Sequence, residues 1–137
     1  HLAQHADLLI AQVQPGGVLL SSQEIPPQII NRAGIPSRHL TYGMHPQASY
    51  QAKNLHVRPN GCYQMDIFCQ EEKTLNFLTT ARLNVPGEHN VRNALAAIAA
   101  VDALGLSADE AARWIEAFAG TERRFEIKGS YHGITFV

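Results

Sequence analysis

Residues 86–101 constrain this chain more than any other stretch. They read Pro86-Gly87-Glu88-His89-Asn90-Val91-Arg92-Asn93-Ala94-Leu95-Ala96-Ala97-Ile98-Ala99-Ala100-Val101. A Pro-Gly breaker opens a run that carries no charge between Arg92 and Asp102. Ala and Leu are strong helix formers, so the run predicts a helix. It is apolar all round a helical wheel, and a helix of that kind must be covered on more than one face.

The first turn of this helix gathers His89, Asn90, Arg92 and Asn93. Two readings of that polar end stand side by side. Asn90 suits an N-cap, its side-chain oxygen satisfying a free N–H of the first turn. Alternatively the turn is a nucleotide seat. Asn90 and Asn93 are three apart and share a face, and a carboxamide offers an acceptor beside two donors, which matches the N6/N7 edge of adenine.

With 137 residues, 45% of them hydrophobic, the chain is one domain's worth and can bury a core. A formal net charge of −1 argues against non-specific nucleic-acid binding. No apolar run approaches a membrane span, and no basic-then-apolar leader is visible, so a cytoplasmic location is expected. Cys62 and Cys69 are seven apart, which is neither a metal knuckle nor a C-x-x-C pair. On a single strand they would face opposite ways; free thiols in a reducing compartment are the expected state. No histidine pair stands on a credible ligand face. His1 and His5 have the spacing but no carboxylate partner, and His39, His45, His56 and His132 are scattered. Asp7, Glu24 and Asp66 form no carboxylate pair. No metal site and no catalytic residue are assigned within this segment.

Residues 2–13 read as a short helix ended by Pro15-Gly16-Gly17. Val18-Leu19-Leu20 makes a brief apolar strand, and together these suggest an α/β unit with a buried parallel strand. After Pro26-Pro27, residues 28–33 fit one helical turn, and Arg38 to Gly43 a second strand. Leu55 to Arg58 and Cys62 to Phe68 form a hairpin about Pro59-Asn60-Gly61. Residues 74–83 add a third antiparallel strand. The alanine-rich helix ends at Gly105, a C′ glycine. Ser107-Ala108-Asp109-Glu110 is a capping box opening a second helix. That helix should bury Ala111, Trp114, Ile115 and Phe118 as a core stripe, with ligand stacking the alternative for Trp114, and close at Gly120. Residues 125–127 and 134–137 make a final hairpin about a Gly-rich turn at 129–133.

The run G-x-H-N-x-x-N-A-L-A-A-I-A from Gly87, followed by Gly120-Thr121-Glu122-Arg123-Arg124-Phe125-Glu126 and a later Gly-Ile pair, resembles the Mur ligases. These are ATP-dependent amide ligases of peptidoglycan synthesis, with roles in cell shape and division. Arg38-His39-Leu40-Thr41-Tyr42-Gly43 and Thr121 to Glu126 are most similar to the branch that joins L-alanine to UDP-N-acetylmuramate. The tripeptide-recycling branch acting on the same nucleotide sugar is the near alternative. A non-catalytic α/β module binding a nucleotide or partner is the distant one.

The resemblance implies an α/β fold: part of a P-loop-type central domain, with short parallel strands, an antiparallel patch and two packed helices. The phosphate loop G-x-x-G-K-[ST] is absent from the sequence. Residues 1–137 are therefore expected to be the C-terminal half of the central ATP-binding domain, with residues from about 123 to 137 leading toward a further domain. The implied chemistry is phosphorylation of a carboxylate by ATP and attack of an amine on the acyl phosphate. Charge neutralisation would come from Mg²⁺ and basic side chains outside this segment. By the same resemblance His89, Asn90 and Asn93 would hold the adenine and Arg124 the ribose and phosphates. Arg123 must point away from Arg124 on an extended segment, and Arg92 is expected in solvent.

Overall fold

The computed structural model describes residues 18–24, 38–118, 129–131 and 134–136. The helix expected over residues 2–13, the turn at 28–33, residues 125–127 and Gly120 lie outside the described residues. Five strands form one sheet: β1 (Val18–Ser22), β2 (Arg38–Gly43), β3 (Tyr50–Val57), β4 (Tyr63–Glu71) and β5 (Thr74–Arg82). Two helices follow, α1 (Glu88–Ala103) and α2 (Ala108–Ala117). The chain ends in a small antiparallel ladder of β6 (Gly129–Tyr131) with β7 (Ile134–Phe136).

The sheet runs in sequence order. β1, β2 and β3 pair in parallel, whereas β3–β4 and β4–β5 are antiparallel. This is the parallel part followed by an antiparallel patch that the sequence predicts. Two boundaries differ. The hairpin begins at Tyr50, well before Leu55, because Tyr50, Gln51 and Ala52 are buried and pair with Cys69, Phe68 and Ile67. In the last ladder β7 lies on the strand expected at 134–137, but its partner β6 lies inside the stretch expected to be a turn. Cys62 precedes β4 instead of sharing a strand with Cys69, so opposite faces do not arise; both side chains are buried.

β4 shows why the sheet has one apolar face. Met65, Ile67 and Cys69 alternate inward, while Gln64, Asp66 and Gln70 are only partly covered. α1 lies against this face across β1 to β4, and α2 packs on β5 and on α1. Ala94, Ala97 and Ala99 let α1 approach closely, and Leu95 and Ile98 fill the remaining space. Each such fully buried aliphatic side chain contributes about 1.5–3 kcal/mol. The C-terminus of α1 is a Schellman closure: Gly105 has φ +79°, its N–H bonds the Asp102 carbonyl at 2.9 Å, and the Leu106 N–H bonds that of Val101 at 3.1 Å. Tyr50 ties the same helix end to β3, its hydroxyl donating to Asp102 Oδ2 at 2.8 Å.

α2 starts as the sequence predicts, with the Ser107 hydroxyl accepting from the Glu110 N–H at 3.1 Å. Its buried stripe matches expectation at Ile115, with Ala111 and Phe118 partly buried against the core, and departs from it at Trp114. Ala108, Ala112 and Ile115 face the core, and Trp114 is 54% exposed. Trp114 sits about 100° round the helix from Ile115, and it stacks on Phe118 with ring centroids 6.0 Å apart.

On the outer face of the sheet Asp66 accepts from Asn54 Nδ2 at 2.8 Å and from the Thr80 hydroxyl at 2.7 Å. These hydrogen bonds hold its carboxyl below the usual carboxylate range. A depressed folded-state value contributes stability that is present above the unfolded-state value and lost as pH falls through the folded one. Asp66→Asn is therefore expected to lower stability at neutral pH and change it little in acid, flattening the acid limb of a stability-versus-pH curve measured by urea denaturation. Ser107→Ala is expected to lower stability by about 1 kcal/mol in the same assay.

Candidate functional site

The polar residues of the alanine-rich stretch meet the sheet at the carboxyl ends of its parallel strands. In open α/β sheets that edge is where ligand crevices form. The chain enters α1 through Gly87, whose φ is +102°. The N-cap is Gly87, with no side-chain hydrogen bond. The capping role considered for Asn90 is thus excluded, since Asn90 lies three residues inside the helix.

Asn90 is only 4% exposed. Its Nδ2 donates to the Pro86 carbonyl at 2.6 Å. A carbonyl can only accept, so the amide orientation is fixed: the donor half faces the main chain and Oδ1 faces away. Oδ1 is buried and has no partner among the described residues. A buried acceptor left unmade costs about 1–3 kcal/mol. Asn93, a turn further on, is exposed. The two carboxamides therefore straddle the boundary of the core instead of sharing one open face.

His89 is exposed and its ring lies over Gly87. A Cβ at residue 87 would stand 2.9 Å from His89 Cε1 and 3.0 Å from Nδ1. Glycine is favoured here by the backbone conformation, since the exposed imidazole can swing aside.

The rim opposite is formed by the ends of β1 and β2. The Gln23 N–H bonds the Tyr42 carbonyl at 2.8 Å, and Gln23 Oε1 accepts from the His45 N–H at 3.2 Å. The Gln23 side chain lies across Gly43, where a Cβ would come within 2.4 Å of Oε1. Arg92 reaches from α1 to Glu24, Nε to Oε2 3.7 Å. It is exposed as expected, but ion-paired. The half-buried Tyr42 hydroxyl titrates above its usual range, first through burial and then through the Glu24 carboxylate, with Arg92 opposing. Deeper in, Ser21 Oγ and His39 Nε2 are 2.8 Å apart, and burial lowers the His39 pKa. Among the described residues no group of three His, Cys, Asp or Glu side chains could hold a metal ion.

Of the four residues the sequence nominates, His89, Asn90 and Asn93 come together at the α1 start. Arg124 lies outside the described residues, as do Arg123, His1 and His5. Sequence reasoning named Glu24 only as a scattered carboxylate and Tyr42 only as part of the Arg38 to Gly43 run, and it missed the Pro86 carbonyl, which any residue could supply.

A mixed sheet of parallel and antiparallel strands with a polar helix start beside the ends of β1 and β2 defines an α/β domain. The Mur ligase middle domain matches residues 2–101, and the chain belongs to the Mur ligase family. Curated relatives include UDP-N-acetylmuramate–L-alanine ligases from Caldanaerobacter subterraneus subsp. tengcongensis, 35% identical over 76% of this chain, and from Jannaschia sp., 42% identical over 73%. That of Agathobacter rectalis is 33% identical over 89%. This chain spans 22%, 20% and 26% of those proteins. Among solved structures, the UDP-N-acetylmuramoylalanyl-D-glutamyl-2,6-diaminopimelate–D-alanyl-D-alanyl ligase of Acinetobacter baumannii has a TM-score of 0.66 at 21% identity, over 85% of this chain and 24% of that one. The UDP-N-acetylmuramate:L-alanyl-gamma-D-glutamyl-meso-diaminopimelate ligase of Neisseria meningitides has a TM-score of 0.63 at 19% identity, over 85% and 33%. At such identities the likeness is one of fold.

Gly87→Ala is expected to destabilise the chain by about 1–3 kcal/mol in urea denaturation, because alanine is strained at this positive φ. Gly61→Ala, at a positive-φ turn with open space around it, is expected to cost less.

Proposed function

We propose that this chain is the later half of the central ATP-binding domain of a ligase that joins L-alanine to UDP-N-acetylmuramate, and that the α1 start seats the adenine. The relatives' names support the reaction class. One observation carries the nucleotide seat: the buried, unpartnered Oδ1 of Asn90. It offers an acceptor, the donor half of the amide being committed to Pro86. An acceptor suits the exocyclic amine of adenine and repels the carbonyl of guanine at the same ring position. Exposed Asn93 can donate to the neighbouring ring nitrogen, and the His89 imidazole lies beside the site to cover the base. Arg124 would serve the ribose and phosphates as a charged bidentate donor.

ATP supplies the phosphoryl group that turns a carboxylate into an acylating agent; the residues described here bind and orient its purine end. Mg²⁺ is expected on groups elsewhere in the full-length ligase, and no side chain of this chain is assigned to it. Nucleotide-activated substrates of this kind place the reaction in the cytoplasm, in peptidoglycan synthesis that supports cell shape and division. UDP-N-acetylmuramate and L-alanine would be bound by other parts of the full-length protein.

Titration of the ¹⁵N-labelled chain with AMP is expected to shift the amides of His89, Asn90 and Asn93 with weak affinity, and GMP to leave them unmoved. ATP binding by this chain in the micromolar range by calorimetry, or equal responses to the two nucleotides, would contradict the reading. In the full-length ligase Asn93→Ala should raise the KM for ATP about tenfold, the worth of one hydrogen bond of about 1.4 kcal/mol. The KM for the nucleotide sugar should stay unchanged; an effect confined to thermal stability would contradict the assignment.

A further inference from the structure

The orientation of the Asn90 carboxamide depends on where the Pro86 carbonyl lies. Pro86 belongs to the short connection from β5 to α1, and that connection is tied down by a set of polar side chains far along the sequence. Asn84 is at its centre. Asn84 Oδ1 accepts from Arg58 Nη2 at 2.9 Å and from Asn60 Nδ2 at 3.2 Å. Asn84 Nδ2 donates to the Glu116 carbonyl, near the end of α2, at 2.5 Å. Arg58 Nη2 also donates to the Leu83 carbonyl. Asn60 is itself fixed, its Oδ1 accepting from the Cys62 N–H at 3.0 Å. The turn between β3 and β4 and the last turn of α2 therefore clamp the same residue, two positions before Pro86. Val85 between them is buried.

Resting on the adenine seat proposed above, we infer that Arg58, Asn60 and Asn84 are positioning residues: they fix the Pro86 carbonyl, and through it hold the Asn90 carboxamide with Oδ1 turned toward the ligand. Closing a connection does not require this arrangement. Arg58 Nε is buried with no partner among the described residues, so the guanidinium is kept at a cost that an apolar contact would avoid. What the arrangement secures is direction. Two neighbouring acceptors, the Leu83 carbonyl and Asn84 Oδ1, are held by one planar guanidinium nitrogen whose donors have fixed angles.

The test compares Asn84→Leu with Asn84→Asp in the ¹⁵N-labelled chain. The aspartate keeps the acceptor for Arg58 and Asn60 and loses only the donor to Glu116; the leucine loses all three bonds. The first readout, without nucleotide, is hydrogen exchange of the Asn90 side-chain amide. It is expected to be about fivefold faster in Asn84→Leu and within about twofold of the parent in Asn84→Asp. The backbone amide of Ile98 should be unchanged in both. The second readout is AMP affinity, expected to fall about fivefold in Asn84→Leu alone. Unchanged Asn90 exchange in Asn84→Leu overturns the inference, and so does an aspartate variant that behaves like the leucine one. Should Asn84→Leu fail to fold, Asn60→Ala on the exposed turn carries the test. Asn90 exchange is then expected to rise about twofold, and no change overturns the inference. Absence of AMP-induced shifts in the parent defeats the adenine seat itself, whereas the exchange measurement judges the positioning without any nucleotide.

Discussion

The close seating of α1 on the sheet is the contact on which the rest of the structure depends. Its alanines are small enough to bring the helix axis near the strands, and Leu95 and Ile98 then fill the core beside Met65 and Ile67. Because α1 crosses β1 to β4, it joins the parallel and antiparallel parts of the sheet into one body. The hydrophobic term is non-directional and fixes only that the helix lies there. Its rotation and axial position come from the polar ends: Tyr50 to Asp102 at one end, and Pro86 to Asn90 at the other.

That division of labour explains the site. The residues at the start of the apolar helix are polar, and Asn90 among them is buried with the core. Half of its amide is used to hold the turn and half is left over. A carboxamide can do both because it carries donor and acceptor on one rigid group. An alanine in its place would satisfy the packing and leave the Pro86 carbonyl without its partner. The ion pair of Glu24 with Arg92 and the Gln23 contact with Gly43 shape the opposite rim. Both depend on β1 and β2 being parallel neighbours, so that their carboxyl ends arrive together at the α1 start.

Much of this was legible in the sequence. The helix, its Gly105 closure, the Ser107 cap and the β2 strand are short-range features with their own residue signatures, and each appears where expected. Trp114 was not legible. An aromatic at helical spacing from Phe118 fits a core stripe, but the stripe that packs is set by which neighbour lies closest. Here Ala108, Ala112 and Ile115 fit against β5 and α1. The early start of β3 was hidden for a related reason. Tyr50, Gln51 and Ala52 show no alternation because they are covered on both sides, and Gln51 meets its needs through the Pro46 and Ala48 carbonyls. At the site, the residue types were readable and their orientations were not. Asn90 reads as a cap from composition alone; only the left-handed turn at Gly87 shows that the cap lies elsewhere.

The most direct measurement of the central claim is the location of the base in a complex of this chain with AMP, from intermolecular nuclear Overhauser effects or a co-crystal. The account predicts the adenine amine against Asn90 Oδ1, with Asn90 Nδ2 still on the Pro86 carbonyl and Asn93 on the same ring edge. Adenine lodged elsewhere, for example in the cleft between β5 and α2 lined by Phe77 and Arg113, with Asn90 Oδ1 still unpartnered, would contradict it.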